Sequence, residues 1–458
     1  MEKLNIGVDA DGVMVDMSAF NLRDGAKFFK KTAVKPEAYS PAEMFDVSKD
    51  DEFKFGLKYF LKYIKKEPAR EHCSYVLNKL CEEGNQIHSI TARKFTTMGN
   101  LFGKYNRYVF EQWLLKNNIF FSSIQYCSEE NTPIEKLMAC SKLGIDVMVE
   151  DKPDVASLLA EYGVTVLLFD CPYNQDLSHE NIIRVHSWDE VYERVNEVRI
   201  LKSSKPISQF EKKSTDEIQN LSLEEKRNYF LSYREHLRNL TVNEELFKKG
   251  NRRYKLLYSM GVLPAKLMFK TKIINPENIP YQGGFIVASN HENSNDQYLI
   301  DLALKGRAYT GFAAHTIKNT FRGKLFDYIN GAVFIDRNDP VSKANGSEEL
   351  ATRIAHDQVA LIFPEGTRKN KDEEGRKKFL LPFKLGTVAI AQKTGAAILP
   401  ISISYSKKYS LVRVGTPMII KPDDDLIEKN QQLFDTISEL KKENISYIES
   451  ETKVKSLK

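Results

Sequence analysis

Phe285-Ile-Val-Ala-Ser-Asn290-His291-Glu-Asn-Ser-Asn-Asp296 is an apolar run that breaks into an unbroken polar string. A short apolar run bounded in this way reads as a buried strand, and polar side chains gathered at its end mark a place for chemistry. His291 and Asp296 stand five residues apart. Mid-helix they would be about 500° apart around the axis and could not share a face. They meet if His291 lies in the loop and Asp296 sits in the first helical turn, reaching back. So placed, the carboxylate would fix the imidazole tautomer and steady its protonated form, and the ring could take a proton from a hydroxyl. The plainer alternative is a polar loop histidine beside a helix cap.

Downstream, Gly331-Ala-Val-Phe-Ile-Asp336-Arg337 is a strand ending in an acid and a base. Val359-Ala-Leu-Ile-Phe363-Pro364-Glu365-Gly366-Thr367-Arg368 is another, followed by Phe383-Lys384-Leu-Gly386. Arginine presents a planar fork that suits phosphate, and glycine lets a backbone come close to it. With Ala396–Tyr405 these runs, separated by helical patterns, predict an α/β domain.

In order and spacing the blocks resemble the glycerolipid acyltransferases, the lysophosphatidate acyltransferases in particular, over roughly residues 250–420: N-H-x4-D at 290–296, G-x-x-F-I-D-R at 331–337, F-P-E-G-T-R at 363–368, and Pro400-Ile401. The resemblance implies transfer of an acyl group from a thioester, acyl-coenzyme A or acyl carrier protein, to the free hydroxyl of 1-acylglycerol 3-phosphate, giving phosphatidate. By it His291 would be the general base and Asp296 its orienting acid. Arg337 and Arg368 would hold the acceptor phosphate, while Glu365, Gly366 and Thr367 would shape that pocket. No serine nucleophile is needed, so no acyl-enzyme is expected.

Before these blocks, residues 246–276 carry Lys248, Lys249, Arg252, Arg253, Lys255, Lys266, Lys270 and Lys272 with no acid between Glu245 and Glu277, and Pro264 is placed to start a second short helix. Interleaved Leu, Met and Phe make this a candidate interfacial segment for an anionic membrane surface; the alternative is a solvated basic helix packed on its own domain.

The other end of the chain reads differently. LNIGVDADG, QIHSITAR, DVMVED and VTVLLFD alternate with helical stretches, the pattern of a parallel sheet with residues 13–86 inserted after the first strand. Asp9-Ala10-Asp11-Gly12 follows that strand, and a turn there could send both carboxylates toward one metal ion. Thr91, Lys136 and the pair Glu150-Asp151 come next in order. This set resembles the haloacid-dehalogenase-like phosphatases, in their deoxyribonucleotidase-like branch, over about residues 3–190. The resemblance implies that Asp9 is a nucleophile and Asp11 an acid then base, with Thr91 and Lys136 on the phosphoryl group. Asp9, Asp11 and Asp151 would hold Mg²⁺. The acidic pair departs from the commoner Asp-Asp, so Glu150 could be an outer supporting group, and Lys142 is an alternative to Lys136. Phe20, Phe28, Phe29, Phe45, Tyr59, Phe60 and Tyr63 could stack a base or cover a lipid-like group, or simply fill a helical core.

These readings predict a two-part α/β chain. A haloacid-dehalogenase-like Rossmannoid domain spans 1–198, with a cap at about 13–86. A linker and helix occupy 199–245, the helix opened by a Ser222/Glu225 capping box. An acyltransferase domain spans 246–458.

Composition is consistent. The chain has 458 residues, 42% hydrophobic and 28% charged, with net charge +5. These values exclude disordered and collagenous classes and give no reason to expect nucleic acid as a partner. No apolar run nears the roughly 18 residues of a membrane span, and no signal peptide is visible. Cys73, Cys81, Cys127, Cys140 and Cys171 lack metal-ligand spacing and suggest reduced thiols. The expected location is cytoplasmic, peripheral on the inner face of the cell membrane. Two rival readings stay open: phosphomonoester hydrolysis as the main activity, or a catalytically silent ligand-binding N-terminal domain.

Overall fold

The computed structural model describes residues 3–204, 210–242, 244–336, 338–369, 373–406 and 409–456. Arg337, and the side chains of Phe60 and Lys266, lie outside the described set. The chain divides into two units, Met1–Gln209 and Phe210–Lys458.

The first unit is built on six parallel strands: β1 (Asn5–Val8), β2 (Gln86–Thr91), β3 (Ser123–Tyr126), β4 (Val147–Glu150), β5 (Thr165–Phe169) and β6 (Ile182–Val185). Their order is β3-β2-β1-β4-β5-β6. Helices cover both faces, so the central strands are apolar almost throughout; Ile6, Val8, Val147, Val149 and Leu167 are buried. Chain direction across the sheet reverses between β1 and β4, and the crevice beyond such a reversal is where parallel sheets bind ligands. β3 and β6 were not foreseen. They are four-residue edge strands, three-quarters of each only half-buried, with no apolar run to betray them.

The cap is smaller than expected. Helices Met17–Phe29, Pro41–Phe45 and Lys49–Lys66 form it. Helix Cys73–Glu82 instead packs Cys73, Val76, Leu77 and Leu80 into the core of the sheet. Phe20, Phe28, Phe29, Phe45 and Tyr59 pack on one another and on Phe55, ring centroids 5.0–6.3 Å apart, filling the cap's own core.

Ser204 ends helix Trp188–Ser204, so residues 199–204 are helical and not linker. The capping box at Ser222 opens helix Leu223–Asn239, whose buried Tyr233 and Leu237 pack on Ala351 of the second unit.

The second unit holds a seven-stranded sheet: β7 (Lys272–Ile274), β8 (Ile286–Ser289), β9 (Tyr309–Ala314), β10 (Val333–Ile335), β11 (Val359–Ile362), β12 (Ile398–Tyr405) and β13 (Ser410–Val414). The order is β10-β9-β11-β8-β12-β13-β7, with only the β12–β13 pair antiparallel. β8 lies at the centre between β11 and β12, its four residues all buried. Helix Leu426–Ser456 runs along β12 and β13. Pro264 does not start a new helix: one helix, Glu244–Phe269, runs through it. A proline there removes one backbone donor without necessarily ending the helix. The five cysteines form no disulfide.

Candidate active sites

β8 and β11 are adjacent and parallel, so the loops at their carboxyl ends meet: one carries His291, the other Phe363–Arg368. Asn290 prepares the first loop. Its amide donates to Ile403 O at 3.0 Å and accepts from Ile403 N at 2.8 Å, standing in for backbone between β8 and β12.

His291 then leaves the sheet, and Asp296 begins helix Asp296–Ala303. His291 Nδ1 lies 2.7 Å from Asp296 Oδ2. The same oxygen accepts the backbone N–H groups of Glu292 at 2.6 Å and Asn293 at 3.0 Å, and Oδ1 accepts the Tyr405 hydroxyl at 2.6 Å. Four donors serve a carboxylate with no solvent exposure. The imidazole stacks on Phe363 with centroids 3.9 Å apart and planes 13° apart. Nδ1 is thus engaged, while Nε2 has no hydrogen bond within the described residues.

Glu365 sits differently from the expectation that it shapes a phosphate pocket. It is buried; Oε1 accepts from His291 N–H at 2.7 Å and Oε2 from Leu381 N–H at 2.8 Å. Burial pushes its carboxyl above the usual range while those two donors pull it back. It ties the two loops together from behind. Gly366 stands at φ +69°, a backbone conformation that favours glycine. His291, Gly366, Thr367, Arg368 and Lys384 border one cavity of about 960 Å³, whose remaining wall is largely apolar, including Leu257, Val262, Leu302, Phe312 and Ile335. Arg368 is exposed. Asp336 lies in an exposed turn, accepting Asn338 N–H at 2.9 Å, and does not line the cavity.

Asp301, on the same helix as Asp296, is a charged group in that wall. Tyr254 donates to it, and burial raises its carboxyl to about 6 while Tyr254 and Tyr309 pull it down. The folded chain therefore holds this proton more tightly than the unfolded chain does. Its contribution to stability is full below about pH 4 and is lost as pH rises toward 6, a change on the order of 3 kcal/mol. Denaturant titrations should show wild type losing that amount relative to Asp301→Asn between pH 4 and 7; parallel pH dependences would refute it.

In the first unit, Asp9 follows β1, Thr91 ends β2, and Glu150-Asp151 close β4. Lys136, on helix Thr132–Leu143, reaches Asp9 Oδ2 at 2.9 Å and Glu150 Oε2 at 2.7 Å. Lys142 is exposed near the helix's other end. Carboxylate oxygens of Asp9, Glu150 and Asp151 come within 4.8 Å of one another, all buried. Gly12 (φ +88°) makes room: a Cβ there would stand 2.0 Å from Asp151 Oδ2.

Asp11 departs from its expected place at the metal. Its carboxylate accepts Tyr63 O–H at 2.7 Å and Arg93 Nη2–H at 2.8 Å, with Arg93 Nε–H at 3.1 Å. Glu150 stands in the cluster instead, but Oε1 accepts the N–H groups of Asp151 and Lys152 at 3.0 and 3.1 Å, and Oε2 faces Lys136.

Three carboxyls face one ammonium. Burial pushes Asp9 up to about 7 despite Lys136, and drives Asp151 well above the carboxylate range. Burial pulls Lys136 down, but Asp9 and Glu150 outweigh it and raise it. Asp9 Oδ1, Asp151 Oδ1 and the Thr91 hydroxyl are buried without hydrogen-bond partners among the described residues. Hard oxygen donors, an excess of negative charge and unsatisfied oxygens suit a small divalent cation with a phosphate.

Sequence reasoning did not assign Tyr63, Arg93, Tyr173 (whose hydroxyl donates to Asp151), Phe363 or Tyr405 to these sites.

Residues 270–404 match the acyltransferase family model, so the second unit carries an acyltransferase domain. It is similar to the 1-acyl-sn-glycerol-3-phosphate acyltransferases of Haemophilus influenzae (30% identity over 34% of this chain and 62% of that protein) and Escherichia coli (27% over 40% and 73%). The chain thus spans about two thirds of the length of the acyltransferases it matches. The first unit is similar to a nucleotidase of Clostridium acetobutylicum, 29% identical over 42% of this chain and 93% of that protein. The chain joins a unit similar to a nucleotidase to a unit that carries an acyltransferase domain.

Proposed function

We propose that the C-terminal unit moves an acyl group from a thioester to the free hydroxyl of 1-acylglycerol 3-phosphate, giving phosphatidate. The observation that carries this reading is an imidazole whose Nδ1 is held by a buried carboxylate, beside a largely apolar cavity that Arg368 also lines. Nε2 takes the hydroxyl proton as the oxygen attacks the thioester carbonyl, and returns it to the departing thiolate. Arg368, with Arg337 by the sequence resemblance, holds the acceptor phosphate, and the apolar wall accommodates an acyl chain. Purified chain given vesicles of lysophosphatidate with acyl-coenzyme A or acyl carrier protein thioester should form phosphatidate with at least one donor; no product with either sinks the reading. Arg368→Lys should raise KM for lysophosphatidate about tenfold with kcat little changed, because a point charge cannot copy a bidentate fork; equal KM values would remove Arg368 from the phosphate site.

Acceptor and product live in a bilayer, yet no helix among the described residues is long and apolar enough to cross one. Helix Glu244–Phe269 exposes Leu256 and Met260 (69%) among basic residues, and helix Phe321–Asn330 packed against it exposes Phe321 (85%). These favour attachment to an anionic membrane, the inner face of the cell membrane being the proposed location. Vesicle binding should weaken with salt, as a Debye length of roughly 8 Å at physiological ionic strength requires.

A second reading is favoured by the unsatisfied oxygens around Asp9. The N-terminal unit hydrolyses a phosphomonoester; Asp9 and Asp151 would hold Mg²⁺, which would supply charge neutralisation for the phosphoryl oxygens. Asp9 attacks phosphorus, Asp11 protonates the leaving group and then activates water, and Lys136 and Thr91 steady the phosphoryl group.

A further inference from the structure

We infer that Tyr405 is a positioning residue for acyl transfer: its hydroxyl anchors Asp296 to the sheet and sets how firmly that carboxylate holds His291. The inference rests on the acyltransferase reading of the C-terminal unit and deepens it.

Asp296 has four hydrogen-bond donors, and they come from two sources. The His291 ring and the N–H groups of Glu292 and Asn293 all belong to the loop that Asp296 itself closes, and all three bond Oδ2. They would travel with the loop if it moved. Oδ1 is bonded from elsewhere in the fold, by the last residue of β12 at 2.6 Å. β12 is hydrogen-bonded to β8, the strand from which the loop departs. Tyr405 therefore closes a ring of structure: β8, the His291 loop, Asp296, Tyr405, β12 and back to β8.

The hydroxyl has one proton to give. Its oxygen lies 2.6 Å from Asp296 Oδ1 and 3.3 Å from Asn293 Oδ1, so the carboxylate receives the proton and the amide gets the weaker contact. Burial and the neighbouring carboxylate raise Tyr405 above the usual phenol range, so it stays a donor across working pH. Without it, Oδ1 of a fully buried carboxylate would face no donor within the described residues, and more negative charge would rest on the oxygen that His291 faces.

Other charged groups around the pair are fixed by other contacts. Glu365 holds His291 N–H from the β11 loop, and Lys369 N–H donates to His291 O at 2.7 Å. Glu292 is paired with Lys441 of helix Leu426–Ser456 at 2.5 Å. Arg368 and Lys384 border the cavity, and Asp301 lies beyond the pair on its own helix. None of these contacts involves the Tyr405 hydroxyl, so deleting it perturbs Asp296 selectively.

The test is Tyr405→Phe in the full chain, which keeps the ring and deletes the donor, with Tyr447→Phe on helix Leu426–Ser456 as a remote control and His291→Ala as a reference. Each is assayed with lysophosphatidate vesicles and the better thioester, across pH. Tyr405→Phe should lower kcat about tenfold with KM for both substrates within about twofold. The acid limb of its kcat/KM profile should move to higher pH, because a carboxylate with one donor fewer holds an imidazolium more tightly. Tyr447→Phe should match wild type. Wild-type kcat with an unmoved acid limb in Tyr405→Phe overturns the inference. So does a lower kcat with an unmoved limb, which would reduce Tyr405 to packing. If His291→Ala retains wild-type turnover, it is the acyltransferase reading that fails, and that result is separate from either of these. Should Tyr405→Phe not fold, Tyr405→His, which restores a ring donor, must recover part of the rate; no recovery in a folded protein also overturns the inference.

Discussion

Replacing His291 by alanine should cut acyl transfer to lysophosphatidate by about a thousandfold or more while leaving the protein folded. General-base contributions fall in the range of about 10² to 10⁴, and no other imidazole among the described residues borders the cavity. Stability should change little because the substitution strands no buried charge. Asp296 would keep three donors, the N–H groups of Glu292 and Asn293 and the Tyr405 hydroxyl. The backbone N–H of residue 291, on which Glu365 depends, survives in alanine. Initial rates on vesicles, paired with a thermal melt, decide the matter. Undiminished turnover with a normal melt would show that this ring is not the base.

Asp9→Asn should abolish Mg²⁺-dependent phosphate release from any phosphomonoester that wild type hydrolyses, with acyl transfer unaffected. An amide cannot form the covalent phosphate, and it withdraws one of three carboxyls from the candidate cation site. The same change should raise stability, or at least not lower it, when magnesium is absent. Burial already disfavours a charged Asp9, and Lys136 would keep Glu150 at 2.7 Å. Loss of release together with a lower metal-free melting temperature would point to misfolding in place of lost chemistry. Should wild type release no phosphate from a broad panel, the silent ligand-binding alternative takes over for this unit.

The parts of the fold that announced themselves in sequence are the central strands. β1, β2, β4 and β5 of the first unit and β8, β11 and β12 of the second carry apolar runs ending in polar turns, because they are covered on both faces; the edge strand β10 carries such a run although only Val333 is buried. β3, β6 and β7 lie at sheet edges, where half-burial leaves no such run; β13 is mostly buried but is interrupted by Arg413, and β9 is broken by Gly311 and ends in alanines. Site residues divide along a similar line. Those that follow a strand, such as Asp9, Asp151 and His291, or end one, such as Thr91, could be placed from the pattern of apolar runs. Tyr63 and Tyr173 come from the cap and from the loop after β5, and Tyr405 from a strand end without charge, so only three-dimensional proximity reveals them. Asp11 shows the limit of spacing arguments: two residues from Asp9, it still turns its carboxylate to Arg93 and Tyr63, because an arginine and a phenol compete better for it than the other carboxylates do.

Asn290 has one more implication. By taking the place of a peptide unit opposite Ile403, its amide stops β8 from zipping further along β12. Were the ladder to run on, residue 291 would continue as strand instead of entering the loop in which its ring meets Asp296. That one carboxamide therefore works as a strand terminator, and the loop that carries the chemistry begins where a strand is made to end.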